Sequence, residues 1–282
     1  MRKRLIVNAD DFGFSRGITD GILYAHQSGI LTSTTLMTTM PDCDRAIDLA
    51  GAHPGLGVGI HLCLTQGTAR SGQLKYLTSA DGQFPREVWR LLERISLNRK
   101  ALEEARGEWA AQIEYALKRG LHPTHLDSHK HIHHWPALAA IALDLAAEHG
   151  LSGVRCANEI ILPALPGLSS GYRVLRLLAK RLKRRMNRCG LCSTDSFYGL
   201  AATGRFSAEI WLRLLESLPE GTCEVMVHPG YATDLTGRQT RLTSERELEL
   251  NGLCDPRVGK KVEECRIERV HFGQIRHREK IT

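Results

Sequence analysis

The stretch RLIVNADDFGFSRGITDGILYAH, Arg4–His26, shows the pattern from which we predict the fold. A short apolar run, Leu5–Asn8, predicts a buried strand, and Ile18–Gly29 follows it with the apolar spacing of a helix. Two carboxylates, Asp10 and Asp11, stand between the strand and the helix. The chain repeats this order of strand and then helix up to its end, and such a repeat favours a parallel sheet with helices packed around it.

Seven further strand candidates follow the first one. They are Ser33–Thr39, Val58–Leu64, Thr124–Asp127, Val154–Ala157, Thr194–Tyr198, Glu224–Val227 and Ile267–Phe272. The further helical patterns cover Cys43–His53, one long stretch from Pro85 to Gly120, Pro136–Gly150, Gly171–Arg188, Ala208–Leu218 and Ser244–Leu253. Eight strands in a single domain, residues 1–282, predict an α/β fold whose mostly parallel strands form a closed or nearly closed barrel. A doubly wound open sheet is the alternative, because periodicity does not show closure.

Composition excludes several classes of protein. Hydrophobic residues make up 42% of the chain and charged residues 24%, which is ordinary for a globular protein. No apolar run is long enough to cross a bilayer, and the N-terminus does not resemble a signal peptide. The eight cysteines are therefore expected to be reduced thiols in the cytoplasm, and CGLC at 189–192 lacks a second pair for a zinc site. The basic stretch Lys180–Arg188 is interpreted as the solvated face of an amphipathic helix rather than a nucleic-acid contact.

Polar residues come at the ends of four predicted strands. Asp10 and Asp11 follow the first, His61 lies in the third, the stretch HLDSHKHIHHWP begins in the fourth and continues past its end, and His228 follows the seventh. Taken singly, the aspartates could cap a helix and the histidines could be hydrogen-bonded core residues. Together they indicate a catalytic site, because the loops after parallel barrel strands converge on one cavity. A hydrolytic metal site is the chemistry that this mixture of carboxylates and imidazoles fits.

The stretch HLDSHKHIHHWP, His125–Pro136, contains five histidines in twelve residues. In an extended backbone, alternate side chains from His125 to His133 would share one face, whereas in a helix His125 and His129 would do so. Neither conformation excludes metal binding. One ion does not accept all five imidazoles together with other ligands, so some of them must have other roles.

Four motifs resemble those of the YdjC-like carbohydrate deacetylases, a family that includes chitooligosaccharide deacetylases and hopanoid-associated deacetylases. The motifs are NADDFG at 8–13, GIHL at 60–63, THLDSHKHIH at 124–133 and VHPGY at 227–231. TSTTLM at 32–37 and TRLTSERELELNGLCDPRV at 240–258 extend the resemblance over almost the whole chain. The resemblance implies a distorted (β/α) barrel like that of polysaccharide deacetylases. Members of the family are often dimers, so a homodimer is the assembly that the resemblance implies.

The resemblance also implies a function. One divalent ion, Zn²⁺ or Mg²⁺ with Mn²⁺, Co²⁺ or Ni²⁺ as alternatives, would be bound by Asp11, His61 and His129, and an acetyl group would be removed from an N-acetylated sugar or glycolipid. Asp10 would be the catalytic base and His228 the general acid.

The neighbouring residues of the histidine stretch receive lesser roles. His125 would support the site from behind, Asp127 would orient a ligand imidazole, and His131 and His133 would lie at the mouth, available to substrate.

Two other functions are compatible with the sequence. A metal-dependent amidohydrolase or phosphoesterase acting on another small substrate would use the same residues, although a phosphatase is expected to bring more carboxylates or a second metal. Metal storage or sensing, with the basic helix contacting nucleic acid, would not explain why the polar residues come at matching strand ends.

Overall fold

The computed structural model describes residues 2–160, 170–235 and 240–275. The eight strands of these residues are β1 Lys3–Phe12, β2 Ser33–Leu36, β3 Gly57–Leu62, β4 His125–Ser128, β5 Gly153–Val154, β6 Ser196–Tyr198, β7 Gly221–Val227 and β8 Glu268–Arg269. Their nine α-helices are α1 Arg16–Ser28, α2 Cys43–Gly51, α3 Val88–Leu97, α4 Arg99–Lys118, α5 Pro136–Glu148, α6 Ser170–Cys189, α7 Ala208–Ser217, α8 Ser244–Cys254 and α9 Pro256–Glu264.

All the strand pairs are parallel, as the alternation of strands and helices predicts. The strand order is β5-β4-β3-β2-β1-β7-β6, and β8 pairs with the first residues of β1. Isolated parallel bridges join Gly153 to Cys192 and Glu159 to Phe197, so the sheet curls until its two edges approach each other. The fold is therefore α/β, with a distorted parallel barrel, and this confirms the predicted fold class.

The central strand β1 shows why these residues form such a sheet. Its residues from Leu5 to Phe12 are all buried, as expected for a parallel strand that is covered on both faces. The surrounding helices bury large side chains against the sheet, and Trp109 of α4 and Trp211 of α7 have no exposed surface. The α1 helix begins where the Ser15 hydroxyl accepts a hydrogen bond from the Ile18 backbone N–H.

Two helix predictions need correction. The stretch from Pro85 to Gly120 holds two helices and not one, because α3 ends before Asn98 and the Asn98 side chain caps the start of α4. The helix α9 was not predicted, although Asp255 followed by Pro256 is a recognisable start signal. Asp255 caps this helix by accepting a hydrogen bond from the Arg257 backbone N–H.

Three features outside the site can be compared with their predictions. All eight cysteines are free thiols. The basic stretch Lys180–Arg188 lies on α6, whose inner side buries Ala179, Leu182 and Met186. Residues 66–84, between β3 and α3, form a loop. Within the described part of the chain, no helix has both the length and the apolar character that a membrane span requires.

Candidate metal and catalytic site

The polar strand ends converge at one end of the barrel, as the sequence predicts. Asp10 and Asp11 lie near the end of β1, His61 lies near the end of β3, and Asp127 lies in β4. His228 directly follows β7. Because the strands are parallel, their carboxyl ends meet at the same rim, and the sheet brings together residues that are more than 200 positions apart in the chain.

An irregularity in β1 directs both adjacent carboxylates into this site. An extended backbone would turn the side chains of Asp10 and Asp11 to opposite faces. The pairing of β1 with β2 instead shifts register between Ala9 and Phe12, and Asp11 has a left-handed φ of 71°. Such a φ is unusual for a residue with a side chain and often marks a functional position. The side chains of Asp10 and Asp11 therefore both face the site instead of pointing to opposite faces of the sheet.

His61 is held between two carboxylates. Its Nδ1 lies 2.7 Å from Asp127 Oδ1 and 3.1 Å from Thr35 Oγ1, while its Nε2 lies 3.8 Å from Asp11 Oδ1. Burial alone would lower the pKa of His61, but Asp127, Asp10 and Asp11 outweigh burial and raise this pKa to about 9. Without a bound ion, the His61 imidazole is therefore protonated on both nitrogens and positively charged at neutral pH.

His129 lies beside His61 but differs from it in pKa and in charge. The two ring centroids are 5.9 Å apart, and His129 Nδ1 lies 2.8 Å from Thr65 Oγ1. Burial lowers the pKa of His129 to about 3, so its imidazole is neutral at physiological pH. Because Nδ1 faces Thr65, Nε2 is the nitrogen that remains to bind a ligand or an ion.

A buried arginine organises the other side of the site. The Arg155 guanidinium donates to both oxygens of Asp10, each at 2.7 Å, and forms ion pairs with Asp127 Oδ2 at 2.5 Å and Glu224 Oε1 at 2.6 Å. Burial would raise the pKa of Asp10, but Arg155 and nearby histidines hold it far below its usual range. For Glu224 burial dominates and raises the pKa to about 7.

The helix α8 supplies two more buried contacts, three residues apart on one face. Arg246 Nη2 donates to Asp11 Oδ2 at 2.6 Å, and Glu249 Oε2 accepts a hydrogen bond from the His228 backbone N–H at 2.5 Å. The Arg246 ion pair, despite burial of Asp11, lowers the pKa of that carboxyl. Among the described residues, Nε and Nη1 of Arg246 and Nδ1 of His228 have no hydrogen-bond partner. Unpaired buried donors of this kind are uncommon and point to groups used with a ligand.

The remaining histidines of HLDSHKHIHHWP do not form a self-contained metal site. The backbone stays extended only through Ser128, and a 3₁₀ turn follows, His129–His134, with left-handed φ at its second and third residues. His125 is fully buried and stacks on Phe272 at a centroid distance of 3.8 Å. His131 is half-buried.

The prediction that His133 lies at the mouth is wrong. Its side chain is fully buried between Ser128 Oγ, 2.6 Å from Nδ1, and the Arg155 carbonyl oxygen, 3.0 Å from Nε2. The tight turn after Ser128 causes this placement, because it folds the end of the histidine stretch back against β5 instead of continuing outwards.

Sequence reasoning missed four charged residues that shape the site. Arg155 and Glu224 are each a lone charge in an apolar strand pattern, VRCA and EVMV, and that pattern could have marked them as buried partners. Arg246 and Glu249 lie within TSERELEL, a motif whose role the sequence does not reveal. Their partners Asp11 and His228 are 235 and 21 positions away.

Fold and site together define a class: a parallel α/β barrel with carboxylates and imidazoles at the carboxyl ends of its strands. Residues 4–264 match the family model described as YdjC-like protein. The chain therefore belongs to the YdjC-like family.

Comparisons with individual proteins agree with this assignment. The chain is 33% identical to a carbohydrate deacetylase of Brevibacillus brevis over 273 residues, which cover 96% of this chain and 99% of that protein. It is also 33% identical to a carbohydrate deacetylase of Halalkalibacterium halodurans, covering 89% of this chain and 94% of that protein. A solved structure from Enterococcus faecalis V583, provisionally assigned to cellobiose-phosphate cleavage, superposes with a TM-score of 0.77 at 27% identity and covers 98% of this chain and 100% of that one.

Proposed function

We propose that this protein is a metal-dependent hydrolase that removes the acetyl group from an N-acetylated amino sugar and releases acetate. The relatives described as carbohydrate deacetylases support the reaction class. The observation that carries the proposal is the arrangement of His61, whose Nδ1 is fixed by Asp127 while its Nε2 faces Asp11 at 3.8 Å. A carboxylate that orients an imidazole in this way is the usual environment of a metal-binding histidine.

The charges of the site suit a divalent cation. Three buried aspartates lie around His61, and Glu224, whose pKa is raised to about 7, is partly ionised behind them, while two buried guanidinium groups and the proton on His61 supply the positive charge. The carboxyl groups are those of Asp10, Asp11, Asp127 and Glu224, and the guanidinium groups those of Arg155 and Arg246. A bound ion in place of the His61 proton would compensate the remaining negative charge.

Two ligand sets are available around His61. Asp10, His61 and Asp127 each have one ligand-type atom within 4.8 Å of the others. Arg155 already binds both Asp10 oxygens and Asp127 Oδ2, so an ion in this group would lie against a guanidinium.

We propose the other set, Asp11, His61 and His129. In this set Arg246 leaves Asp11 Oδ1 free, and Nε2 of each histidine remains available. One carboxylate and two imidazoles suit Zn²⁺ and accept Mn²⁺, Co²⁺ or Ni²⁺, whereas Mg²⁺ prefers oxygen ligands. When bound, such an ion polarises a carbonyl group and lowers the pKa of water from about 16 towards about 7.

Asp10 is proposed as the catalytic base. Its low pKa keeps the carboxylate ionised, and the two-pronged contact with Arg155 fixes the orientation of both oxygens. The same contact weakens the carboxylate as a base, because a low pKa reduces the driving force for proton transfer. Asp10 therefore depends on a water molecule that is already acidified, which is a condition that the proposed ion supplies.

His228 is proposed as the general acid. Glu249 fixes its backbone, and its buried Nδ1 has no hydrogen-bond partner among the described residues. An amine is a poor leaving group unless it is protonated as the C–N bond breaks, so this ring would deliver the proton to the sugar nitrogen. Water adds to the acyl carbon, and the products are acetate and the free amino sugar.

The neighbouring residues are proposed to support this chemistry. Asp127 orients His61 through the 2.7 Å contact, and His125 packs behind the site on Phe272. His131 is half-buried beside the site, and it is proposed to contact the substrate.

An acetate-release assay tests the proposed function. N-acetylated mono-, di- and oligosaccharides and an N-acetylated glycolipid head group would be compared, with the metal content of the same preparation measured by elemental analysis. We expect acetate release that is lost on chelation and restored by adding a divalent cation. Metal-loaded protein that releases no acetate from any of these substrates, yet releases phosphate from a phosphate ester, would replace the proposal with the phosphoesterase alternative.

A further inference from the structure

The helix α6, Ser170–Cys189, carries the whole positive charge of this protein. It contains eight basic residues and no acidic residue, whereas the chain as a whole has 38 basic and 31 acidic residues. The rest of the chain therefore has 30 basic against 31 acidic residues and is almost neutral. A net charge of +7 that is confined to one helix acts as a local patch and not as a general property of the surface.

Most of this charge faces solvent along a single stripe. The exposed basic residues follow one another at spacings of seven, one, three and four positions, which keeps them on one face of the helix. They are Arg173, Lys180, Arg181, Arg184 and Arg188. Two other basic side chains, Lys183 and Arg185, point back to the protein and donate to the carbonyl oxygens of Thr194 and Pro136.

The same stripe exposes aliphatic surface at one end. Val174 is 54% exposed and Leu177 is 68% exposed, although helices that pack on a sheet usually turn such residues inwards.

Two contacts of α6 show its direction relative to the strands. Ala179 accepts a hydrogen bond from the Cys156 thiol just after β5, and Lys183 contacts Thr194 just before β6. The helix thus runs antiparallel to the strands, and its aliphatic end lies on the side of the barrel mouth.

We propose that this face of α6 binds the surface of an anionic lipid bilayer. Interfacial helices combine aliphatic side chains, which insert among the lipid chains, with lysine and arginine, which pair with anionic head groups. A second copy of the same face would be repelled by its like charge. Nucleic acid would pair with the arginines but would gain little from exposed Val174 and Leu177, so the combination favours lipid. This inference does not rest on the proposed enzymatic function.

Vesicle co-sedimentation tests the inference with the full chain. The protein would be mixed with vesicles of phosphatidylcholine alone or with about 30% phosphatidylglycerol, at low and at raised salt. We expect binding only to the anionic vesicles and weaker binding as salt increases, because ions screen the attraction. A protein that stays in the supernatant with anionic vesicles at low salt overturns the inference.

Two triple variants with the same net charge locate the surface. Neutralising Lys180, Arg181 and Arg188 to Gln should weaken vesicle binding by roughly 100-fold, since each basic side chain near an anionic surface contributes about fivefold. The matched control neutralises Arg99, Lys100 and Lys118 of α4 to Gln and should bind like the unchanged protein. Equal losses in both variants would show a general charge effect and would contradict a specific surface.

A third variant separates lipid from the other partners. Leu177→Ser should weaken binding to anionic vesicles while leaving binding to a double-stranded DNA fragment unaffected. Tighter binding to DNA than to vesicles, or a dimer that dissociates in Leu177→Ser, would assign the face to nucleic acid or to self-association and overturn the inference. Circular dichroism and the melting temperature of each variant confirm that the fold is intact.

Discussion

Asp127 Oδ1 lies 2.7 Å from His61 Nδ1, and both side chains are buried at the end of neighbouring strands. The contact fixes which His61 nitrogen is left to face Asp11, and it also stabilises the protonated imidazole of the metal-free protein. Under the proposed function, this carboxylate orients His61 towards the ion and at the same time favours the proton that would compete with the ion for His61. Asp127 is connected to Asp10 as well, because both carboxylates bind Arg155.

Asp127→Asn should weaken metal binding without removing it. The asparagine can keep one contact to His61 but no longer fixes the ring as firmly, and loss of such a partner typically reduces metal affinity about 10- to 100-fold. Titration of the metal-free protein with Zn²⁺ by isothermal calorimetry measures this change. Thr35→Val is the control, since it removes the longer 3.1 Å contact to the same nitrogen and should have a smaller effect. An unchanged affinity in Asp127→Asn would place the ion away from His61.

Metal binding should release a proton at neutral pH. The pKa of His61 is raised to about 9, so this proton stabilises the metal-free fold fully below the ordinary histidine pKa of about 6.5. That stability is lost as pH rises from there through about 9, and over the same range the metal affinity should increase. Calorimetry near pH 7.5 in buffers of different ionisation enthalpy should therefore show uptake of close to one proton by the buffer for each ion bound.

The control for this proton is the same titration above the pKa of His61, where the ring is already neutral and no proton should be released. In Asp127→Asn the release near neutral pH should also decrease, because the main charge that raises the pKa of His61 is gone. An absence of proton release at neutral pH would show that His61 is not a ligand.

Arg246→Gln should destabilise the metal-free protein more than the metal-bound protein. Without Arg246 the buried Asp11 carboxylate has lost its ion pair, and breaking a buried pair costs about 3–5 kcal/mol. A bound cation supplies a new partner for Asp11 and should recover much of that loss. Thermal unfolding with and without Zn²⁺ measures the difference between the two states.

Glu249→Gln on the same helix is the matched control for Arg246→Gln. Glu249 contacts the His228 backbone and not Asp11, so this variant should show no metal-dependent gap in stability beyond that of the unchanged protein. If both variants lose stability equally with and without metal, Arg246 contributes to packing alone and Asp11 does not bind the ion.

The sequence was sufficient for the outline of this site because its signals are local. Four of the predicted strands end in polar residues, and a parallel sheet places those ends at one rim, so Asp11, His61 and His228 could be predicted to meet. The turn that takes His133 away from the mouth could not be predicted. It depends on a left-handed backbone at Lys130 and His131, and neither residue is a glycine, the residue type that usually indicates such a conformation.

The charged partners were beyond sequence reasoning for a different reason. Arg155 contacts Asp10 from 145 positions away, and Arg246 contacts Asp11 from 235 positions away. Neither arginine belongs to a motif that states its partner, and only the closure of the sheet brings them together. Their effect on the site is nevertheless large, since they hold the pKa of both aspartates far below the ordinary value.

Asp10→Asn should retain the metal and abolish most acetate release. An amide cannot accept the water proton, and a positioned base contributes roughly 10²–10⁴-fold to the rate. Elemental analysis and the acetate assay on one preparation measure both properties. Near-normal turnover would exclude Asp10 as the base, and loss of the metal would transfer Asp10 to the ligand set with Asp127.

Arg155→Lys tests whether this arginine sets the basicity of Asp10. Lysine keeps one positive charge but cannot bind both oxygens of Asp10 at once, so the pKa of this carboxyl should move up towards its ordinary value. The titration of Asp10, which in the unchanged protein lies below the assayable pH range, should then enter the pH profile of kcat/KM and move its acidic limb to higher pH. An unchanged limb accompanied by a lower rate at every pH would show that Arg155 only supports the fold.

His228→Ala should reduce kcat by about 10²–10⁴-fold while leaving metal binding intact, because the ring is proposed to protonate the departing nitrogen and not to hold the ion. A substrate whose leaving group needs no proton separates the two possible roles. With the N-acetylated sugar the variant should be nearly inactive, whereas an acetyl ester of a phenol should be hydrolysed almost as fast as by the unchanged protein. A loss confined to KM, equal for both substrates, would instead identify His228 as a binding residue.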